Sequence, residues 1–132
     1  MRSLIFAGIQ RYSLFSPNHV GNDAAIFSAV AQYLKENGHQ VNMYTEQEFL
    51  TNSLKGEKYI FTMMRSKASV RKLQKLEEKE DCFAVNSGHG IENCTRERMT
   101  TLLLENQISH PRSLIWDTND GVPEALIKPV FE

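Results

Sequence analysis

Basic side chains near the end of the chain are the ones whose type and position best suit a phosphate group. Arg96 and Arg98 fall in the first turns of a predicted helix, where positive charge opposes the helix dipole. Two interpretations of these arginines are open: they bind a phosphate group, or they pair with a surface carboxylate. Lys128 lies in an apolar, strand-like run, where a charge is costly to bury unless it is used. The alternative for Lys128 is an ordinary solvated lysine.

Polar residues also fill the long segment that follows the first apolar run. Ser16, Asn18 and His19 precede a predicted helix, whose free N-terminal N–H groups favour an anion. The spacing fits neither a dinucleotide fingerprint nor a P-loop. The simpler interpretation of this segment is that Asn22 or Asp23 caps the helix. We therefore keep the first three residues as candidate ligand-binding residues and assign the last two to capping.

A second polar segment, residues 86–90, closes a short apolar run. Its two glycines allow either close approach of a ligand or only a tight turn in which Asn86 bonds locally. His89 and Cys94 have no second pair of residues at metal-ligand spacing, so no metal site is predicted. Nothing visible activates Cys94 as a nucleophile, and no catalytic residue is assigned. Cys82 and Cys94 are too few for a disulfide framework and indicate reduced thiols.

Strand-like and helical patterns alternate along the chain, and they determine where these residues would lie. Short apolar runs predict strands at residues 4–9, 40–45, 58–64, 82–85 and 113–116. Helical spacing of apolar residues predicts helices at 23–37, 68–79 and 91–106, with a short helix or irregular connection at 46–54. The alternation predicts a three-layer, Rossmann-like α/β fold with a mainly parallel sheet and helices on both faces. Ligands of such sheets collect at the carboxyl ends of the strands, here the loops 10–22, 46–53, 65–67 and 86–90.

Composition limits the class of partner. The 132 residues are 41% hydrophobic and 23% charged, with a formal net charge of -1. This balance lacks the basic footprint of a nucleic-acid-binding protein, and no apolar run approaches the roughly 20 residues of a membrane span. The run at 4–9 is interrupted by Gly8 and closed by Gln10, which favours a strand over a signal peptide. We expect a cytoplasmic protein that binds neither nucleic acid nor membrane, and a homodimer is compatible with the sequence.

The ordered motifs between residues 85 and 129 resemble those of the ATP-grasp superfamily. In that family a Rossmann-like pre-ATP-grasp domain ends with an Asn at a strand terminus. A helix with an Asp-Lys pair, a proline-containing turn, a strand and a later Val/Ile-Lys-Pro strand then follow. The matching residues, in order, are Val85-Asn86-Ser87, Arg96-Glu97-Arg98, Asn106-Gln107-Ile108-Ser109-His110-Pro111, Ser113-Leu114-Ile115 and Ile127-Lys128-Pro129. Residues before about 80 match the family only in their strand–helix pattern.

This resemblance implies domain boundaries, an activity and two nucleotide-binding residues. Residues 1–111 would form the pre-ATP-grasp domain, and residues 112–132 a linker and the start of a truncated ATP-grasp domain. The implied activity is ATP-dependent ligation of a carboxylate to an amine or a thiol, with ATP and Mg²⁺ as cofactors. Lys128 is similar to the family's strand lysine that contacts the nucleotide phosphates. Arg98 replaces the lysine of the Asp-Lys pair, which keeps the charge and changes its geometry.

The same resemblance implies that this domain shapes the substrate side of the active site. Its strand-end loops would contact a small-molecule carboxylate. The candidate substrate-binding residues in those loops are Ser16, Asn18, Met64, Arg65 and Asn86.

The family's phosphate loop, adenine-binding segment and Mg²⁺ ligands would follow residue 129. We therefore expect the chain alone to be inactive and to bind Mg-ATP weakly. The competing interpretation is a non-enzymatic Rossmann-like module that binds a small molecule or a protein partner. A flavodoxin-like receiver or flavin-binding protein is disfavoured, because Gln10-Arg11 stands where a receiver has acidic residues.

Overall fold

The computed structural model describes residues 2–11 and 20–111, which form four strands and five helices. In chain order the elements are β1 Ile5–Gln10, α1 Val20–Glu36, β2 Gln40–Thr45, α2 Glu46–Thr51, β3 Tyr59–Thr62, α3 Lys67–Glu78, β4 Phe83–Val85, α4 Gly88–Asn93 and α5 Arg96–Glu105.

The four strands form one parallel sheet in the order β2-β1-β3-β4. The register places Gly8 of β1 beside Met43 of β2 and Phe61 of β3. The chain passes from β1 outward to β2, and then back across the sheet to β3 and β4. This topology confirms the predicted α/β fold with a parallel sheet between layers of helices.

Alternate residues of the strands face opposite layers of helices. Ala7, Ile9 and Ile60 share one face, where they join a buried cluster with Phe49 of α2 and Leu73 of α3. All five side chains are at most 2% exposed, so this face holds the main hydrophobic core.

The opposite face of β1 is covered by α1, and Gly8 makes the close approach possible. A Cβ atom at Gly8 would lie 2.7 Å from the Phe61 ring, 2.8 Å from Met43 Sδ and 3.0 Å from the Phe27 ring. The Phe27 and Phe61 rings pack with centroids 4.7 Å apart, in the space that a side chain at position 8 would fill. The glycine that interrupts the first apolar run therefore serves packing between helix and sheet.

The α1 side of the sheet is not evenly covered. The register places Phe83 and Val85 of β4 on this face, and their side chains are exposed. Ile26, Val30 and Tyr33 of α1 are also exposed. Ile26, Val30 and Tyr33 are spaced i, i+4 and i+7 along α1. They therefore form one apolar stripe beside the buried stripe that contains Phe27.

The ends of two helices are fixed by local hydrogen bonds. Thr45 and Glu48 form a capping box at the start of α2, so the predicted short helix is present, and it occupies most of the segment predicted as a loop. Ser66 is the N-cap of α3, and its hydroxyl accepts from Ser69 N–H. Lys72 of α3 donates through Nζ to backbone carbonyls at the end of α2, including that of Asn52 at 2.8 Å.

The single helix predicted for residues 91–106 is wrong, because the segment contains two helices. α4 ends at Asn93 and α5 begins at Arg96. Thr95 has an extended backbone, and its hydroxyl accepts from Arg98 N–H at 3.3 Å. A threonine whose side chain caps a new helix competes with continuation of the old one.

Packing divides the chain into two compact units, Met1–Cys94 and Thr95–Glu132. The first contains the sheet and α1 to α4, and the second contains α5, which has no buried side chain. The domain boundary predicted after Pro111 stays a prediction, and the strand predicted at 113–116 lies outside the described residues.

Within the described ranges, no helix is both long enough and apolar enough to cross a bilayer.

Candidate functional site

A cavity of about 350 Å³ opens in the first unit, at the carboxyl ends of β3 and β4. Its lining comes from the start of α1, from the residues after the two strands and from α4. The lining residues are Asp23, Met63, Met64, Arg65, Asn86, Ser87, Gly90, Ile91 and Cys94. The cavity therefore occupies the edge of the sheet at which parallel α/β folds bind ligands.

Three of the predicted site residues lie together in this cavity. Met64 and Arg65 follow β3, Asn86 follows β4, and all three line this cavity. Arg98 lies in α5 of the second unit, with an exposed side chain. Ser16, Asn18 and Lys128 lie outside the described residues, as does His19.

Thr62, the last residue of β3, holds the turn that contains Met63 and Met64 in position. Its buried hydroxyl donates to Ile9 O at 3.1 Å and accepts from Met64 N–H at 3.0 Å. Met63 N–H also donates to Ile9 O, at 3.3 Å. The turn after β3 is thus tied to the end of β1, and Met64 is 1% exposed.

A buried carboxylate positions Arg65. Glu46, at the first position of α2, is 2% exposed and accepts from the backbone N–H groups of Arg65 and Ser66, at 3.0 and 2.9 Å. The Glu46 side chain thereby satisfies backbone donors before α3, while the Arg65 side chain remains exposed at the cavity. The segment 46–53, predicted as a ligand-binding loop, therefore supports the cavity through Glu46, and none of its residues lines the cavity.

The β4 side of the cavity is held by contacts to β3 and α3. Asn86 Nδ2 donates to Thr62 O at 3.3 Å, so Asn86 bonds across the sheet rather than only within its own turn. Gly88 N–H donates to Glu77 Oε2 at 2.9 Å, and Gln74 Nε2 donates to Gly88 O at 3.3 Å. These bonds fix the start of α4 against α3, and α4 in turn brings its own residues to the cavity.

Asp23 lies within α1 and forms an ion pair, so the prediction that it caps this helix is wrong. α1 begins three residues earlier, at Val20, and Asp23 lies inside its first turn. Arg11 Nη1 donates to Asp23 Oδ2 at 2.7 Å, and the two side chains are 16% and 18% exposed. The pair joins the end of β1 to the start of α1 and offsets the charge of one carboxylate in the cavity lining.

Several lining residues were missed by the sequence analysis. Ser87 and Gly90 fall within a predicted strand-end loop, so their position was a usable signal. Ile91 and Cys94 had been assigned to a longer helix, whereas in the structure Ile91 lies within α4, Cys94 is its C-cap, and both line the cavity. The charge of Asp23 marked it as a possible functional residue. Its partner Arg11 lies twelve residues away, and only the fold identifies this pairing.

The two cysteines have different environments. Burial raises the pKa of the Cys82 thiol to about 11, and the charges of Glu77 and Asp81 add to the effect. Cys82 therefore stays protonated near neutral pH and is a poor nucleophile. Cys94 is a free, exposed thiol in the cavity lining.

The charged groups of the cavity suit an anion better than a metal ion. The Arg65 guanidinium takes part in no ion pair among the described residues, whereas Asp23 is already paired. Across residues 2–11 and 20–111, no three His, Cys, Asp or Glu side chains come together as metal ligands.

Comparisons of the chain with protein-family models, with curated proteins and with solved structures found no match.

Proposed function

We propose that this chain is the substrate-side domain of an ATP-grasp-type ligase, and that its cavity binds the carboxylate to be ligated. The observation that carries the proposal is the convergence of Met64, Arg65 and Asn86 on one cavity. All three lie at or directly after the ends of predicted strands, in a chain whose later motifs resemble that family. Their meeting at the carboxyl edge of a parallel sheet supports a shared binding role.

The chemistry of the cavity supports a carboxylate. Arg65 presents a guanidinium, which can donate two parallel hydrogen bonds to a carboxylate. Met63, Met64 and Ile91 supply an apolar wall for the remainder of the ligand. A volume of about 350 Å³ lies at the small end of the range for ligand cavities, which fits a metabolite rather than a nucleotide.

In this proposal, ATP and Mg²⁺ belong to the complete ligase. Arg98 and Lys128 are the residues of this chain that contact the nucleotide phosphates, and the substrate cavity is separate from them in sequence. When bound, ATP supplies the phosphoryl group that activates the carboxylate.

A second candidate is a non-enzymatic small-molecule-binding module. One observation favours it: all the described residues that line the cavity belong to the first unit. Such a module would bind its ligand without any contribution from nucleotide.

The substrate role is tested by titrating the chain with a panel of small carboxylates, observed by NMR and calorimetry. Arg65→Gln should weaken carboxylate binding by about 10-fold or more, because it removes charge-assisted hydrogen bonds. Arg71→Gln, an exposed arginine on α3, is the matched control and should leave binding unchanged. Carboxylate affinities that are equal in wild type and Arg65→Gln would contradict this role.

The ligase assignment is tested with Mg-ATP. We expect weak, millimolar binding by the chain, reduced several-fold in Lys128→Gln and Arg98→Gln because each removes a phosphate contact. Nucleotide binding that neither substitution affects would contradict the phosphate contacts proposed for Lys128 and Arg98.

A further inference from the structure

The hydrogen-bonding groups of the cavity include more acceptors than a simple carboxylate would use. Asn86 donates through Nδ2 to Thr62 O, which fixes the amide and leaves Oδ1 as its acceptor. Asp23 uses Oδ2 for Arg11, and its Oδ1 has no hydrogen-bond partner among residues 2–11 and 20–111. Both residues line the cavity together with Arg65.

Ser87 adds a third acceptor. Its backbone carbonyl accepts from Ile91 N–H, but its hydroxyl makes no capping hydrogen bond at the start of α4. The cavity thus combines one cationic donor, Arg65, with acceptors contributed by α1 and by the end of β4.

We propose that the ligand of this cavity is a free α-amino acid. Its carboxylate binds Arg65, its ammonium group donates to Asp23 and Asn86, and its side chain packs on the wall formed by Met63 and Met64. This inference rests on the proposed function, since it takes the Arg65 carboxylate site as given and adds the second charged group of the ligand.

Specificity for an amino acid follows from the cost of unpaired acceptors. A carboxylate without an amine would displace water from the oxygens of Asp23 and Asn86 and offer no donor in return. Sites built to bond an N–H or O–H group reject analogues that lack it for this reason. Arg11 contributes by holding Asp23 in one orientation, so that its second oxygen is presented to the ligand.

The size of the cavity agrees with one amino acid. At about 350 Å³ it lies at the small end of the range for ligand cavities, which suits a ligand as small as one amino acid. The apolar character of Met63, Met64 and Ile91 favours methionine, leucine or phenylalanine over charged side chains.

The proposal is tested on the full chain with the twenty common L-amino acids, screened singly by NMR and thermal shift. For the tightest one, the deaminated acid and the decarboxylated amine are then titrated. Each analogue should bind at least about 10-fold more weakly than the parent amino acid, because each lacks one charged contact. An amino-acid panel with no binding up to about 10 mM overturns the proposal.

Two substitutions distinguish the ends of the ligand. Arg65→Gln should weaken the amino acid and the acid by about 10-fold and leave the amine unchanged. Asp23→Asn should weaken the amino acid and the amine by a similar factor and leave the acid unchanged. Should Asp23→Asn unfold the chain, Asn86→Leu removes the other acceptor and is expected to give the same pattern.

The outcomes separate this inference from the proposed function. A deaminated acid that binds as tightly as the amino acid overturns the amino-acid assignment and leaves the carboxylate site intact. A chain that binds no carboxylate of either kind contradicts both.

Discussion

At the scale of single residues, a buried carboxylate ties the loop before β3 to the edge strand β2. Glu57 is 2% exposed and accepts from Tyr44 Oη at 2.6 Å and from Asn42 Nδ2 at 2.7 Å. Burial raises the pKa of Glu57, but hydrogen bonds from Tyr44, Asn42 and nearby backbone N–H groups outweigh it and hold the pKa below its ordinary value. Burial, and then the hydrogen bond to Glu57, raise the pKa of Tyr44 to about 12, so its hydroxyl remains a donor at neutral pH.

We expect Tyr44→Phe to lower the free energy of unfolding by about 1–3 kcal/mol at pH 7, because it removes a donor from a buried, ionised carboxylate. Since the folded-state pKa of Glu57 is depressed, this stabilisation is present above the unfolded-state pKa and is lost as pH falls through the folded-state pKa. The difference between the two proteins should therefore shrink below about pH 4.5.

Urea denaturation across this pH range measures the effect. Tyr33→Phe is the matched control, because Tyr33 is exposed on α1 and its hydroxyl should contribute under about 0.5 kcal/mol. A Tyr44→Phe effect that does not change with pH would show that Glu57 is not its cause.

At the scale of elements, the contact between α3 and α4 decides the shape of the cavity. A Cβ atom at Gly88 would lie 2.9 Å from Gln74 Cγ and 3.1 Å from the backbone nitrogen of Gln74. Because part of this contact is helix backbone, a side chain at position 88 must move α4 away from α3. Ile91 and Cys94 would move with it.

Gly88→Ala should therefore destabilise the first unit by about 1–3 kcal/mol, the usual cost of overpacking. It should also weaken ligand binding, because α4 forms one wall of the cavity. Gly90→Ala is the control for stability alone, since a Cβ there would meet only Ser87 Cβ, at 3.9 Å, whereas Gly90 itself lines the cavity. Unfolding in urea and ligand titration provide the two measurements, and equal stabilities for the two variants would contradict this account of the contact.

Element order could be predicted from the sequence, and element junctions could not. The four described strands and α3 were predictable because apolar periodicity reports which face of an element is buried. The break between α4 and α5 was missed because Thr95 continues an acceptable helical pattern, and only its capping hydrogen bond distinguishes the two cases. The Arg11–Asp23 pair and the burial of Glu46 and Glu57 depend on contacts distant in sequence.

At the scale of the whole molecule, stability should be unequal between the parts of the chain. β1 and β3 are the inner strands of the sheet and contain Ala7, Ile9 and Ile60, which are 0–2% exposed. α5 has no buried side chain. Backbone hydrogen bonds open most easily where little apolar surface is buried.

Hydrogen exchange followed by NMR should consequently find the slowest amides in β1 and β3. We expect the α5 amides to exchange at least about 100-fold faster, through local opening. Protection in α5 equal to that in β1 would mean that the second unit is stabilised by contacts beyond its own side chains.

The position of β1 in the sheet has a consequence for biosynthesis. β1 leaves the ribosome before the other three described strands, and β2 and β3 both pair with it. The nascent chain can close β1, α1 and β2 into one unit and then add β3 on the other side of the same strand. Each later strand meets a partner that has already been made, so assembly needs no part of the chain that is still to be translated.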